Sequence, residues 1–139
     1  MRQVTMMRSA LVLLLLLSCL LAGWTATPEA DKLFTTAQQY FEKRAYSSAI
    51  SELNKFVTTY PKDSRISQAK FMLGRSYQHQ NKYGQAITLY RQVVVEAPGA
   101  KNASLRAAAH YQIAECYWLT GQYDKAIEEY TKCIDQYPK

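Results

Sequence analysis

From residue 30 onward, apolar positions recur at steps of three and four, the period of an amphipathic helix. Three stretches do this in register. Aligned on a Tyr-x-x-x-Ile core, Tyr46 and Ile50 match Tyr83 and Ile87, then Tyr123 and Ile127. The residue before each Ile is alanine: Ala49, Ala86 and Ala126. Further on come Leu53, Tyr90 and Tyr130, then Phe56, Val93 and Cys133. Each copy closes on a proline, at Pro61, Pro98 and Pro138. Six residues before the first Tyr stands another aromatic (Tyr40, Tyr77, Tyr117), and three before that a small residue (Ala37, Gly74, Ala114). Measured between the core tyrosines, the spacing is 37 and then 40 residues.

Each copy reads as two helices joined by a turn. In the second copy they span about residues 64–80 and 83–97. Asn81 and Gly121 tolerate positive φ and suit the turn, whereas Arg44 in copy one is a poorer choice. The two columns of small residues are expected to face each other, letting the helices approach closely, with aromatics filling the flanking space. That reuse of one packing slot explains the 11 tyrosines. Thr27-Pro28-Glu29 marks a helix start. Asp63-Ser64 and Asn102 are cap candidates for the later first helices. The expected fold is all-α, with six helices in three antiparallel hairpins and no strand.

These columns resemble the tetratricopeptide repeat (TPR), whose pattern is Leu-Gly-x-x-Tyr, then Ala-x-x-x-Phe, then Pro. Copy two matches most fully, through Leu73-Gly74, Tyr77, Ala86, Tyr90 and Pro98. The family's early Trp is replaced by Leu33, Lys70 and His110. The resemblance implies a solenoid over residues 30–139, with repeats at about 30–63, 64–101 and 102–139, after a short linker at 24–29. It also implies a concave groove lined by the first helices, holding a protein or peptide partner. The matching groove positions are Phe34, Phe71 and Tyr111, with Gln38, Arg75 and Glu115 four residues on, and Phe41, Gln78 and Trp118 seven on. An aromatic stripe with a few polar groups suits an extended or helical peptide with apolar anchors; the competing expectation is that part of the stripe packs between hairpins. The Lys/Asn clamp that holds a peptide carboxylate in some relatives is not matched. No polar capping helix follows Pro138, so the expectation is either a fragment of a longer protein or a last repeat that self-associates or docks on a partner.

The first 23 residues read differently. Arg2 and Arg8 precede an unbroken apolar run from Ala10 to Leu17, and apolar character resumes from Leu20 to Trp24. This is a secretory leader, and its 15 residues from Ala10 fall short of the ~20 that span a bilayer. Leu16-Leu17-Ser18-Cys19 is similar to a bacterial lipobox, which makes Cys19 a lipidation candidate and a membrane anchor. Ordinary cleavage after Ala22 or Gly23 is the alternative. Leader and repeats together resemble the BamD-like outer-membrane lipoproteins that assemble β-barrel proteins, and also the TPR domain of CpoB-like (YbgF) periplasmic proteins. The implied location is the periplasm or outer membrane of a Gram-negative bacterium, with a non-enzymatic scaffold as the function and a soluble regulator of cell-wall synthesis or Tol-Pal as the alternative.

Charge changes this picture little. The formal net charge is +6, and losing Arg2 and Arg8 with the leader leaves 15 basic against 11 acidic residues. Basic residues are scattered among acidic ones, which argues against nucleic-acid binding. The sequence carries no Gly-rich phosphate loop, no His-Glu-x-x-His and no Cys-x-x-Cys, so no catalytic, metal or cofactor site is expected. His110 falls in a packing column and reads as a structural histidine. Glu128-Glu129 reads as a solvated face. Cys116 and Cys133 are read as buried hydrophobes or, in an exported chain, as a disulfide pair.

Overall fold

The computed structural model describes residues 27–97 and 99–136. The leader with Cys19, the first half of the linker, Pro98 and Pro138 lie outside the described residues. Among the described residues, six α-helices pair into three hairpins: α1 (Pro28–Glu42) with α2 (Tyr46–Thr59), α3 (Ile66–His79) with α4 (Tyr83–Glu96), and α5 (Ala103–Leu119) with α6 (Tyr123–Gln136). Among the described residues there is no strand.

The helices begin and end for local reasons. Thr27 Oγ1 accepts the Ala30 N–H at 3.2 Å, Pro28 occupies the first turn, and Glu29 and Asp31 add acid where the helix dipole is positive. Each hairpin turn is a Schellman motif. The N–H groups of Ala45, Lys82 and Gln122 each donate to the carbonyl five residues back, on Tyr40, Tyr77 and Tyr117, at 2.9 Å. Arg44, Asn81 and Gly121 take the left-handed position, with φ of 59°, 59° and 75°. Arg44 therefore adopts the same geometry as its better-suited counterparts, at a cost of about 1–2 kcal/mol for its Cβ. Before α3, Asp63 Oδ1 accepts the Arg65 N–H at 2.9 Å, so the expected cap forms one turn ahead of the helix. The longer link after α4 contains a 3-10 turn at Ala100–Asn102, held by Arg106 donating to the carbonyls of Ala97 (2.6 Å) and Gly99 (2.8 Å).

All six small residues of the two columns are buried. At Gly74 a Cβ would meet the Tyr90 ring at 2.7 Å, so the nearest side chain to this member of the column is an aromatic. One core joins Phe34, Leu53, Phe56 and Leu73, and a second joins Tyr90, Val93, Ile113 and Tyr117. Each thus spans more than one hairpin, which stacks the hairpins into a continuous solenoid. Neighbouring first helices touch, α1 with α3 and α3 with α5, whereas the second helices do not touch one another. The first helices therefore line the inside of the curve.

Candidate functional site

The inner face is built from α1, α3 and α5. On α5, Tyr111, Glu115 and Trp118 follow at steps of four and three, so they share one side of the helix. Tyr111 is 47% exposed and Trp118 54% exposed. Their rings are steadied from below: Tyr111 lies edge-on to Tyr130 at 5.6 Å, and Trp118 edge-on to Tyr123 at 5.0 Å. Glu115, half-buried between them, accepts a hydrogen bond from the Tyr130 hydroxyl. Burial and this carboxylate push the Tyr130 phenol above its ordinary range, so it remains a donor. On α3, Phe71 is half-buried against Tyr90, with ring centroids 5.5 Å apart, and Arg75 is half-buried one turn further along. On α1, Phe41 is half-buried with its ring edge-on to Tyr46 at 5.8 Å.

Phe34 is not a groove residue. It is 4% exposed and belongs to the first core, 5.2 Å from the Phe56 ring. Arg65 covers it from outside. That guanidinium sits 5.0 Å from the Phe34 centroid and 5.5 Å from that of Phe56, held by two bonds to Asp63 at 2.8–2.9 Å and by one to Asp31 at 2.8 Å. The Arg65 hydrogen bonds hold the Asp63 carboxyl below its usual range. A residue arriving from the loop after copy one thus closes the apolar surface that the repeat pattern leaves open at residue 34.

One further reading changes. Glu129 is not solvated like its neighbour Glu128. It is 7% exposed, and its Oε2 lies 2.7 Å from His110 Nδ1, while Lys132 bonds its other oxygen at 3.1 Å. Nothing in an adjacent Glu-Glu pair signals this; the cue was His110, a polar residue in the apolar Trp column, which needs a partner when buried. Cys116 and Cys133 are both free. Burial pushes the Cys116 thiol up to about 12, and Cys133 Sγ points to the Ala107 carbonyl at 3.5 Å, so both act as packing residues. His79 stacks flat on Tyr46 at 4.3 Å; burial, then the charges of Arg75 and Arg44, lower its pKa and favour the neutral ring. Among the described residues no three His, Cys, Asp or Glu side chains cluster to hold a metal, and no helix is long and apolar enough to cross a membrane.

A curved stack of helix hairpins with exposed aromatics on its inner helices defines a helical-repeat interaction protein. The chain belongs to the tetratricopeptide-repeat family, whose profile matches residues 34–101 and 71–139. Proteins of this family mediate protein–protein interactions, and their fold is generally a non-catalytic scaffold. Among solved structures the chain is similar to a mutant of MamA, with a TM-score of 0.68 and 18% identity over 82% of this chain and 77% of that one. It is also similar to the TPR domain of Arabidopsis FLU, with a TM-score of 0.66 and 23% identity over 81% of this chain and 97% of that one. No curated protein shows a significant match.

Proposed function

We propose that the chain is a non-enzymatic scaffold of the bacterial cell envelope that holds an extended or helical peptide segment of a protein partner against its inner helices. The observation that carries this reading is the exposure of Tyr111 and Trp118, seven residues apart on one side of α5, at 47% and 54%. Large aromatics left half in water, with their edges braced by Tyr130 and Tyr123, have the preorganisation of binding anchors. Phe71 and Phe41 continue the apolar surface along the stack, and Arg75 and Glu115 set the orientation of the bound segment. The leader, with its lipobox-like Cys19, supports an envelope location: an outer-membrane lipoprotein of the BamD-like kind, or a soluble periplasmic regulator of the CpoB-like kind. Intact-mass analysis separates the two, since lipidation gives a mature chain that begins at Cys19 and carries acyl mass.

The groove is tested with peptides selected on the chain from a displayed random library. Trp118→Ala should weaken the selected peptides by about 2 kcal/mol, as loss of an anchor does, with the melting temperature unchanged. A lower melting temperature with undiminished peptide affinity would assign Trp118 to packing and overturn the groove.

A further inference from the structure

Among the described residues the second helices do not touch one another. A cleft of about 390 Å³ therefore opens between α4 and α6, with α5 beneath it, on the side of the stack away from the inner helices' aromatic face. It is lined by Arg91 of α4, Tyr117 of α5, and Lys125, Glu128, Glu129 and Lys132 of α6. The repeat alignment gives the matching positions between α2 and α4 as Asn54, Tyr77, Gln85, Thr88, Leu89 and Gln92. The tyrosine is kept, and each of the other five positions changes from neutral to charged. Packing the tyrosine does not require this. Tyr77 sits in the same manner with Asn54 Nδ2 donating to its hydroxyl at 3.5 Å and Lys82 5.8 Å from its ring centroid.

Three donors from three helices meet in the charged cleft. Arg91 Nη2 donates to the Tyr117 hydroxyl at 2.8 Å. Lys125 Nζ stands 5.4 Å from the Tyr117 ring centroid and gives one of its three N–H groups to Gln122 Oε1 at 2.8 Å. Among the described residues neither Arg91 nor Lys125 has a carboxylate within ion-pair distance. Tyr117 is 8% exposed, and its ring belongs to the second core, so the hydroxyl is already held in place. Its oxygen accepts from Arg91, but its own proton meets no acceptor among the described residues. The two carboxylates of the cleft are occupied. Lys132 bonds Glu128 at 2.6 Å and Glu129 at 3.1 Å, and Glu129 also meets His110 Nδ1 at 2.7 Å. We propose that this cleft is a binding site for a single phosphate group, held by Arg91, Lys125 and the Tyr117 hydroxyl.

The chemistry follows from what is left over. Each of the three free groups donates, so the ligand must accept. A guanidinium presents a planar fork that matches two oxygens of an oxyanion. The other two donors come from different helices, outside that fork. A carboxylate offers two oxygens in one plane, whereas a phosphate offers a third at a tetrahedral corner for the remaining donor. Glu128 and Glu129 on the same wall repel a longer polyanion, which limits the ligand to one phosphate.

The full chain, in mild non-ionic detergent at constant ionic strength, is titrated with inorganic phosphate. NMR signals of the Arg91 Nε–H and the Tyr117 ring report binding. Saturable shifts are expected there, with the Tyr77 ring unmoved. Arg91→Gln and Lys125→Gln should each weaken binding at least about tenfold, and Tyr117→Phe several-fold, as loss of a hydrogen bond to a charged group does. Arg91 and Lys125 are exposed, and far-UV melts check that the variants stay folded. Glycerol 3-phosphate and glycerophosphoglycerol, titrated in the same way, separate the sources: tighter binding of the monoester assigns a soluble phosphomonoester, and tighter binding of the diester assigns a lipid headgroup. Acetate shifting the same signals with equal affinity would overturn phosphate in favour of a carboxylate side chain of a protein partner. Shifts that fail to saturate, or that survive Arg91→Gln and Lys125→Gln unchanged, would mean an adventitious ion only and would overturn the site.

Discussion

Gly74 sets how closely α3 and α4 approach. Its partner, Tyr90, is fully buried; the hydroxyl donates to Gln78 Oε1 at 2.7 Å and the ring rests against Phe71. The ring is therefore held at its tip and on its side when a Cβ at residue 74 would come within 2.7 Å of it. The other copies accept alanine in this column, at Ala37 and Ala114, because the Tyr90 position is then Leu53, without a ring, or Tyr130, which is half-buried. Gly74→Ala gains about 1 kcal/mol of helix propensity, while overpacking a fixed ring costs about 1–3 kcal/mol. The loss should win, and the denaturation midpoint should fall by the equivalent of about 1 kcal/mol. A raised midpoint would mean that the Tyr90 ring swings clear.

Within the third hairpin, α5 and α6 are joined by a buried polar contact as well as by apolar packing. Burial disfavours the Glu129 carboxylate, but hydrogen bonds from His110 and Lys132 outweigh it and hold its pKa below the ordinary 4.5. A depressed carboxylate pKa means that the unfolded chain binds more protons on acidification. The stabilisation is thus complete above about pH 4.5 and is lost as pH falls through the lower, folded value. Glu129→Gln should lower the melting temperature at neutral pH and flatten its decline below pH 4.5; melts showing the same acid decline in parent and variant would discount the pair. This contact also marks where pattern reading stops. The columns place Glu129 on a helix but do not reveal that His110, nineteen positions earlier, reaches it. Phe34 is the same case, since its covering Arg65 belongs to a connecting loop that the repeat pattern does not describe. The turns were legible at Asn81 and Gly121 because those residues advertise positive φ. Arg44 was legible only through register with its counterparts. Tyr111, Glu115 and Trp118 follow from helical spacing alone, but their exposure depends on what stacks beside them.

The described helices form a one-dimensional stack whose two outer faces are unlike. Its first end is polar: α1 turns Lys32, Thr36 and Gln39 outward where the inner first helices carry buried Ala, Leu or Ile, and Ser or Cys. Its last end, the outer face of α6, is apolar and acidic, with Ile127 and Ile134 exposed beside Asp124, Glu128 and Asp135. In such a stack each hairpin draws stability from itself and from its immediate neighbours, so local opening is cheapest where a neighbour is absent. The central hairpin has neighbours on both sides; α3 touches α2, α4, α1 and α5, and α4 touches α3 and α5. Among the described residues, helix α6 contacts α5 alone. Amide hydrogen exchange on the full chain should therefore be slowest in α3 and α4, intermediate in α1, α2 and α5, and fastest in α6. Leu73→Ala, which empties a site 2% exposed between the first two hairpins, should cost about 2–5 kcal/mol and speed exchange in α1 through α4 more than in α6. Equal protection across all six helices, lost together in the variant, would instead describe a single cooperative unit and would end the nearest-neighbour account.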